Sequence, residues 1–374
     1  MAIRIGILTA GGDCPGLNAA IRGVARAAYQ TLDAEIVGIR AGYRGLIEGD
    51  YQVMQQSQFS GILTMGGTIL GTSRHVPECM PSPEGATDRT QEAIDTYRRN
   101  ELDALVIIGD NKSQQAAYHL SQAGLNIITL PKSCENDVPR TDKSIGFDTA
   151  REIATQAIDR LHTNANATHR IMLVELLGSY SGWLTMGAGL AAGADVILIP
   201  EIPYDFDVVI EAIQRRKKAG RNFSLVAVAE KAKSKELVDF MALAASRRAA
   251  NAEEQVRAYE EIEKNYSAQT LLLARRLGEA ADIETHITIL GSLVRGGTPT
   301  AADRLLATQL AEWSVKMVVE GIFGQMACRI DGSVTNVPLS EVAGKVKQIP
   351  LDHDWIRGSY RVGACLGVAE ESLE

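Results

Sequence analysis

The sequence predicts an α/β fold with mainly parallel sheets, and three observations carry that expectation. Short apolar runs recur along the chain and alternate with stretches of helical spacing, the pattern of strand–helix–strand units. The first run, Ile3 to Leu8, passes through a glycine-rich turn into a helix. Another, Asn126 to Leu130, opens onto a long acidic segment reaching Asp148. That segment is too rich in Asn, Asp and Pro to continue a strand or start a helix. Such a loop at the carboxyl end of a strand is where α/β proteins place their chemistry, so it either holds a site or is an unusually long connection.

The bulk properties set outer limits. A chain of 374 residues can form two ordinary domains or one large α/β unit. With 45% hydrophobic and 22% charged residues it has the composition of a soluble globular protein. No apolar run approaches the ~20 residues that span a bilayer, and Met1 to Gly6 lacks a signal-peptide layout. Cys14, Cys79, Cys134, Cys328 and Cys365 form no paired or metal-ligand spacing, which predicts reduced thiols in a cytoplasm. A net charge of -8 argues against non-specific nucleic-acid binding while leaving small anionic ligands open.

Taken in order, Ile3–Leu8 is a strand and Thr9 to Asn18 the glycine-rich turn, which by its residues alone is either a ready anion site, made by backbone N–H groups and the following helix, or simply a tight turn. Ala19–Tyr29 has helical spacing, Ile36–Arg40 is the next strand, and Gly42–Leu46 reads as a turn. A second glycine-rich segment, Gly66 to Arg74, precedes a helix at Thr90–Asn100. Leu105–Ile108 is a buried strand closed by Gly109-Asp110-Asn111-Lys112-Ser113. After the acidic loop a helix is expected to begin beyond Asp148 as N-cap, with Ile153, Ala157, Ile158 and Leu161 on one face. Strands at Ile171–Glu175, Val196–Ile199 and Leu225–Ala229 continue the alternation, with a helix at Trp183–Ala192. Ser234–Leu277 reads as mainly helical, with Glu253, Glu254, Glu260 and Glu261 spaced for exposed pairs with Arg257 and Lys264. A strand at Thr288–Leu290, a helix at Ala301–Val319 and a hairpin around Asp331-Gly332 complete the reading.

Several of these segments together resemble one family. Pro131-Lys132-Ser133-Cys134-Glu135-Asn136-Asp137, then Thr141-Asp142 and Ile145 to Ala150, is similar to the signature loop of the phosphofructokinases. Gly11-Gly12-Asp13-Cys14-Pro15-Gly16-Leu17-Asn18 resembles that family's nucleotide-phosphate loop, and the likeness runs from about Ile3 to Met326. The resemblance implies two Rossmann-like lobes with mainly parallel sheets and the site between them. One lobe is 1–147 with a return at about 293–340, for the nucleotide or donor phosphate. The other is 148–292 with the C-terminal segment, for the sugar phosphate. It implies ATP or pyrophosphate as phosphoryl donor, fructose 6-phosphate or a related sugar phosphate as acceptor, Mg²⁺ near the donor, and a homotetramer. Neither nucleic acid nor membrane is an expected partner.

Carried over by position, the resemblance makes Glu135 the base, with Asp137 and Arg74 as its catalytic companions. Gly11, Gly12, Asp13, Arg74, Asp110, Asn111, Lys112 and Ser113 would form the donor cradle, with Asp110 or Asn111 at the metal. Lys132, Ser133, Arg170, Gly178, Ser179, Glu230, His286, Ser292 and Arg295 would meet the sugar phosphate, Arg170 and His286 reaching into a neighbouring subunit's pocket. The chain departs from the family at several of these places. Glu135 stands for an Asp, Asn111 for the metal-holding Asp, Asp110 and Lys112 for glycines, Ser179 and His286 for Arg, and Ser292 for His. The Glu moves its carboxylate by one methylene, and a displacement of ~1 Å costs on the order of 10²-fold in rate. The two losses on the acceptor side remove about 3–5 kcal/mol of phosphate binding. Three readings follow: an enzyme of weakened or altered activity, a non-catalytic paralogue that regulates or joins a hetero-oligomer with an active partner, or ordinary loops on an α/β fold.

Overall fold

The structure is a computed structural model that describes residues 2–83, 85–248, 251–265 and 269–373. In chain order its strands are β1 (Ile3–Thr9), β2 (Ala34–Ile39), β3 (Tyr51–Val53), β4 (Met80–Ser82), β5 (Gly85–Thr87), β6 (Ala104–Gly109), β7 (Ile127–Pro131), β8 (Ile171–Leu176), β9 (Val196–Leu198), β10 (Ser224–Ala229), β11 (Thr285–Ile289), β12 (Gln325–Ile330) and β13 (Ser333–Pro338). The chain divides into two compact units, Met1–Ala150 with Val294–Lys347 and Arg151–Leu293 with Gln348–Glu374.

In the first unit the sheet order is β13-β12-β7-β6-β1-β2-β3. β1 pairs in parallel with β2 and β6, β6 with β7, and β7 with β12. Only the edges β3 and β13 run antiparallel. Ile5, Ile7 and Leu8 of β1 and Leu105 to Ile108 of β6 are fully buried, each contributing about 1.5–3 kcal/mol of hydrophobic stabilisation. The chain leaves β1 toward β2 and leaves β6 toward β7, in opposite directions across the sheet. That reversal opens a crevice beyond the carboxyl ends of β1 and β6, and both glycine-containing turns fall there.

The second unit has a parallel sheet in the order β11-β8-β10-β9. Its core is Ile171, Leu173, Val196, Leu198, Val226 and Val228 with Phe206, Val209 and Leu277 from the covering helices. Mixed α/β architecture with mainly parallel sheets is therefore the fold, as the alternation of elements predicts.

Several local expectations are corrected. The helix after the acidic loop spans Phe147–Thr168, so Asp148 lies in its first turn and is not its N-cap. The expected turn at Gly42–Leu46 winds into a helix, Tyr43–Glu48. Asp110 does not merely close β6: it is the N-cap of a helix, Asn111–Gln122, that the periodicity does not announce. A further helix, Phe206–Lys218, is capped by Asp205 and carries four basic residues in its last turn. β11 begins at Thr285 and so includes His286. The helical stretch divides into Lys235–Arg248, Ala252–Asn265 and Gln269–Ala281. Glu254, Arg257, Glu260 and Glu261 are exposed there, while the side chains of Glu253 and Lys264 lie outside the described residues.

Candidate functional site

The glycine turn after β1 is held from both sides. Gly11 adopts φ +89, which glycine tolerates without strain, and its N–H donates to the Ser73 carbonyl at 2.8 Å. Thr72 Oγ1 donates back to the Gly11 carbonyl at 2.9 Å, and Thr9 Oγ1 donates to the Gly71 carbonyl at 2.7 Å. These bonds fasten the second glycine-rich segment beside the first and deliver Arg74 to Gly12. A Cβ placed on Gly12 would stand 2.8 Å from Arg295 Nη1 and 3.6 Å from Arg74 Nη2. The Lys132 ammonium donates to the Gly12 carbonyl at 2.5 Å. Three cationic side chains thus converge on one glycine.

Asp110 reaches the same place from β6. Its Oδ1 accepts from the Ser113 N–H (3.2 Å) and hydroxyl (2.8 Å). Its Oδ2 faces the Gly12 N–H and Lys132 Nζ, both at 3.3 Å. Burial works to raise the Asp110 pKa, but the Lys132 charge and the Ser113 donors prevail and hold it below the ordinary carboxylate value. Lys112, on the outer side of the same first turn, is exposed.

The acidic loop leaves β7 and is stapled at its base, where Lys132 bridges Ile145 and the Ser133 N–H donates to the Ile145 carbonyl. Asn136 takes φ +53, a left-handed conformation that Asn tolerates better than most residues. Its side chain bonds the Asp142 carbonyl and the Ser144 N–H, drawing the loop closed. Asp137 receives Ser133 Oγ and, at 2.7 Å, Asn111 Nδ2. Burial pushes the Asp137 pKa up, against the lowering effect of the Ser133 bond. Glu135 is nearly buried, its Oε1 4.0 Å from Arg295 Nη2, and Arg295 Nη1 also donates to the Asp13 carbonyl at 3.2 Å. Asn111 Oδ1 is buried with no hydrogen-bond partner among the described residues.

The second unit gathers its candidates into two groups. Ser179 Oγ donates to Glu230 Oε1 at 2.7 Å, beyond the carboxyl ends of β8 and β10, and a Cβ on Gly178 would press on Ala229 at 2.8 Å. Arg170 precedes β8, and Glu284 takes both its guanidinium (2.9 Å) and the His286 imidazole (3.1 Å). Hydrogen bonds from His286 and Arg170 hold the Glu284 carboxyl below its usual value. Ser292 is exposed on the turn after β11.

A family model described as Phosphofructokinase matches residues 4–318. The chain is 45% identical to an ATP-dependent 6-phosphofructokinase of Propionibacterium freudenreichii, over 98% of this chain and 100% of that one. It is also 45% identical to an enzyme of the same name from Spirochaeta thermophila, over 97% of each. This chain belongs to the phosphofructokinase family. Among solved structures, Pichia pastoris phosphofructokinase superposes with a TM-score of 0.77 at 28% identity, over 91% of this chain and 35% of that longer one. A pyrophosphate-dependent phosphofructokinase from Marinobacter aquaeolei shares the fold at TM-score 0.75 and 20% identity, covering 99% and 89% of the two chains.

In the first unit the glycine turn, Asp110, Lys132, Glu135, Asp137 and Arg295 are linked by hydrogen bonds and one ion pair, with Arg74 beside Gly12. Arg295, assigned from sequence to the sugar phosphate, lies against Asp13, Gly12 and Glu135. Sequence reasoning missed Glu284, whose signal is a charge beside a strand start, and gave Asp303 no role. Lys132, expected from sequence at the sugar phosphate, is the buried tie between Gly12 and Asp110.

Proposed function

We propose that this chain transfers a phosphoryl group from ATP or pyrophosphate to fructose 6-phosphate or a related sugar phosphate, with activity weakened or altered by its substitutions. The observation that carries the reading is the placement of a shielded carboxylate, Glu135, beside the cluster of cations at Gly12. The first unit would bind the donor through Gly11, Gly12, Asp13, Arg74 and Ser113. The second would hold the sugar phosphate through Gly178, Ser179, Glu230 and Ser292, with Arg170 and His286 supplied by a neighbouring copy.

In the reaction Glu135 accepts the proton of the acceptor hydroxyl. The freed oxygen forms a bond to the donor's terminal phosphorus as that phosphorus parts from its bridging oxygen, releasing ADP or phosphate. Arg74 and Arg295 neutralise charge on the transferring group, and such charge stabilisation supplies most of the catalysis in phosphoryl transfer. Asp137, held by Ser133 and Asn111, keeps the loop in register. The bare Asn111 Oδ1 fits a hard cation that prefers oxygen, whereas both Asp110 oxygens face hydrogen-bond donors. Mg²⁺ bound at Asn111 would neutralise donor phosphate charge.

A second reading, a non-catalytic paralogue, draws on the neutral amide at Asn111 and the lengthened base. Phosphorus NMR of the protein with Mg²⁺ and fructose 6-phosphate, with ATP and pyrophosphate in separate samples, decides between them. The expected outcome is a bisphosphate signal that Glu135→Ala lowers by at least 10²-fold. Ligand line broadening without turnover would favour the paralogue.

We also propose a homotetramer in the cytoplasm. The five free thiols support a reducing compartment, and among the described residues no helix is long and apolar enough to cross a membrane. Support for the tetramer comes from β11, an edge strand, where Ile289 and nearby Leu293 are 66% and 63% exposed.

A further inference from the structure

Resting on the reading of the glycine turn as a donor-phosphate site, we infer that Asp110 is a resident anion of that site and sets its affinity for the donor. A glycine turn at a helix start binds anions because its N–H groups are free to point at them. Here the Gly12 N–H already points at Asp110 Oδ2, at 3.3 Å. The nearest ammonium, Lys132, is likewise committed, to the same oxygen and to the Gly12 carbonyl. A Cβ built on Gly11 would lie 1.8 Å from Asp110 Oδ2, so the carboxylate fills the space directly over the turn.

The arrangement is fixed from below. Ser113 donates twice to the other oxygen, and Asp110 caps its helix, so the carboxylate has one preferred orientation. A diphosphate donor must therefore displace a negatively charged group from its N–H and ammonium partners, or approach beside it and bear the repulsion. Either course weakens binding relative to the same turn with no carboxylate above it. Asp110 acts in this way as a specificity-determining residue: it opposes every phosphate that does not bring enough compensating contacts elsewhere, to Arg74 above all.

The test is titration calorimetry with pyrophosphate and with ATP, each with Mg²⁺, on the full-length wild type, Asp110→Ser, Asp110→Asn and Arg74→Ala. Ser and Asn both serve as N-caps, so neither variant removes the start of the helix. Asp110→Ser is expected to bind at least one donor tenfold or more tightly, Asp110→Asn to fall between it and wild type, and Arg74→Ala to bind at least tenfold more weakly. Unchanged or weaker donor binding in a folded Asp110→Ser and Asp110→Asn, while Arg74→Ala still loses affinity, overturns the inference alone. If Arg74→Ala has no effect on either donor, the glycine turn is not the donor site, and that reading falls together with the inference.

Discussion

Lys347 ties the acidic loop to the far end of its own unit. Its N–H donates to the Asp137 carbonyl, and its ammonium to the Thr141 and Asp142 carbonyls at 2.8 and 2.9 Å. Burial drives its pKa down to about 8, against the raising influence of Asp142 and Asp137. The sign follows from proton counting. Between pH 8 and the ordinary lysine range the unfolded chain holds a proton that the folded chain has released, so this group makes stability rise with pH there. Comparing urea unfolding of wild type and Lys347→Met from pH 7 to 10, the difference should change by about 1–3 kcal/mol in that direction. A flat difference would mean the ammonium titrates normally. At this scale the motif residues were legible, because Asn136 and the glycines have backbone reasons for their identity. Lys347 was not, since nothing near it in sequence marks its partners.

Elements were legible wherever local pattern decides them and obscure wherever a distant residue does. The helix Asn111–Gln122 escaped notice because two of its buried positions are Ser113 and Gln114. Gln114 earns its burial by bonding Thr129 and the Gly109 carbonyl, which no apolar periodicity reveals. The start of Phe147–Thr168 departs from the sequence expectation for a related reason. Its cap is Asp303, 154 residues from Thr149, accepting from the Gly146 and Thr149 N–H groups and the Thr149 hydroxyl. Asp303 is itself fixed in the first turn of Ala301–Glu320 by Thr300. Replacing it by Ala strands buried donors at the entry of the helix that follows the acidic loop. Asp303→Ala should lower unfolding stability by about 2–4 kcal/mol, and Asp303→Asn by less, since an amide oxygen still accepts. Urea titration monitored by circular dichroism measures both, and equal losses for the two would show that the carboxylate's charge, rather than an accepting oxygen alone, is what Asp303 supplies.

For the whole molecule, the second unit's candidate residues fall into two groups at opposite ends of its sheet. Glu230 and Ser179 lie past the carboxyl ends of their strands, whereas Arg170 and His286 lie at the opposite ends of β8 and β11. A strand of this length spans ~20 Å, too far for one sugar phosphate to touch both groups of one subunit. We propose that Arg170 and His286 act on a ligand held by a neighbouring copy, with the exposed edge at β11 as the surface that would bring one. Native mass spectrometry should therefore show a tetramer, and Ile289→Lys should shift it toward smaller species. A sharper consequence concerns mixed assemblies. Arg170→Ala and Glu230→Ala should each abolish sugar-phosphate binding when expressed alone. Co-expressed with different tags and purified as hybrids, they should regain it at about a quarter of the sites, where an intact Arg170 from one copy meets an intact Glu230 from another. Hybrids that remain unable to bind would place Arg170 outside every sugar-phosphate site and leave its pairing with Glu284 a purely structural one.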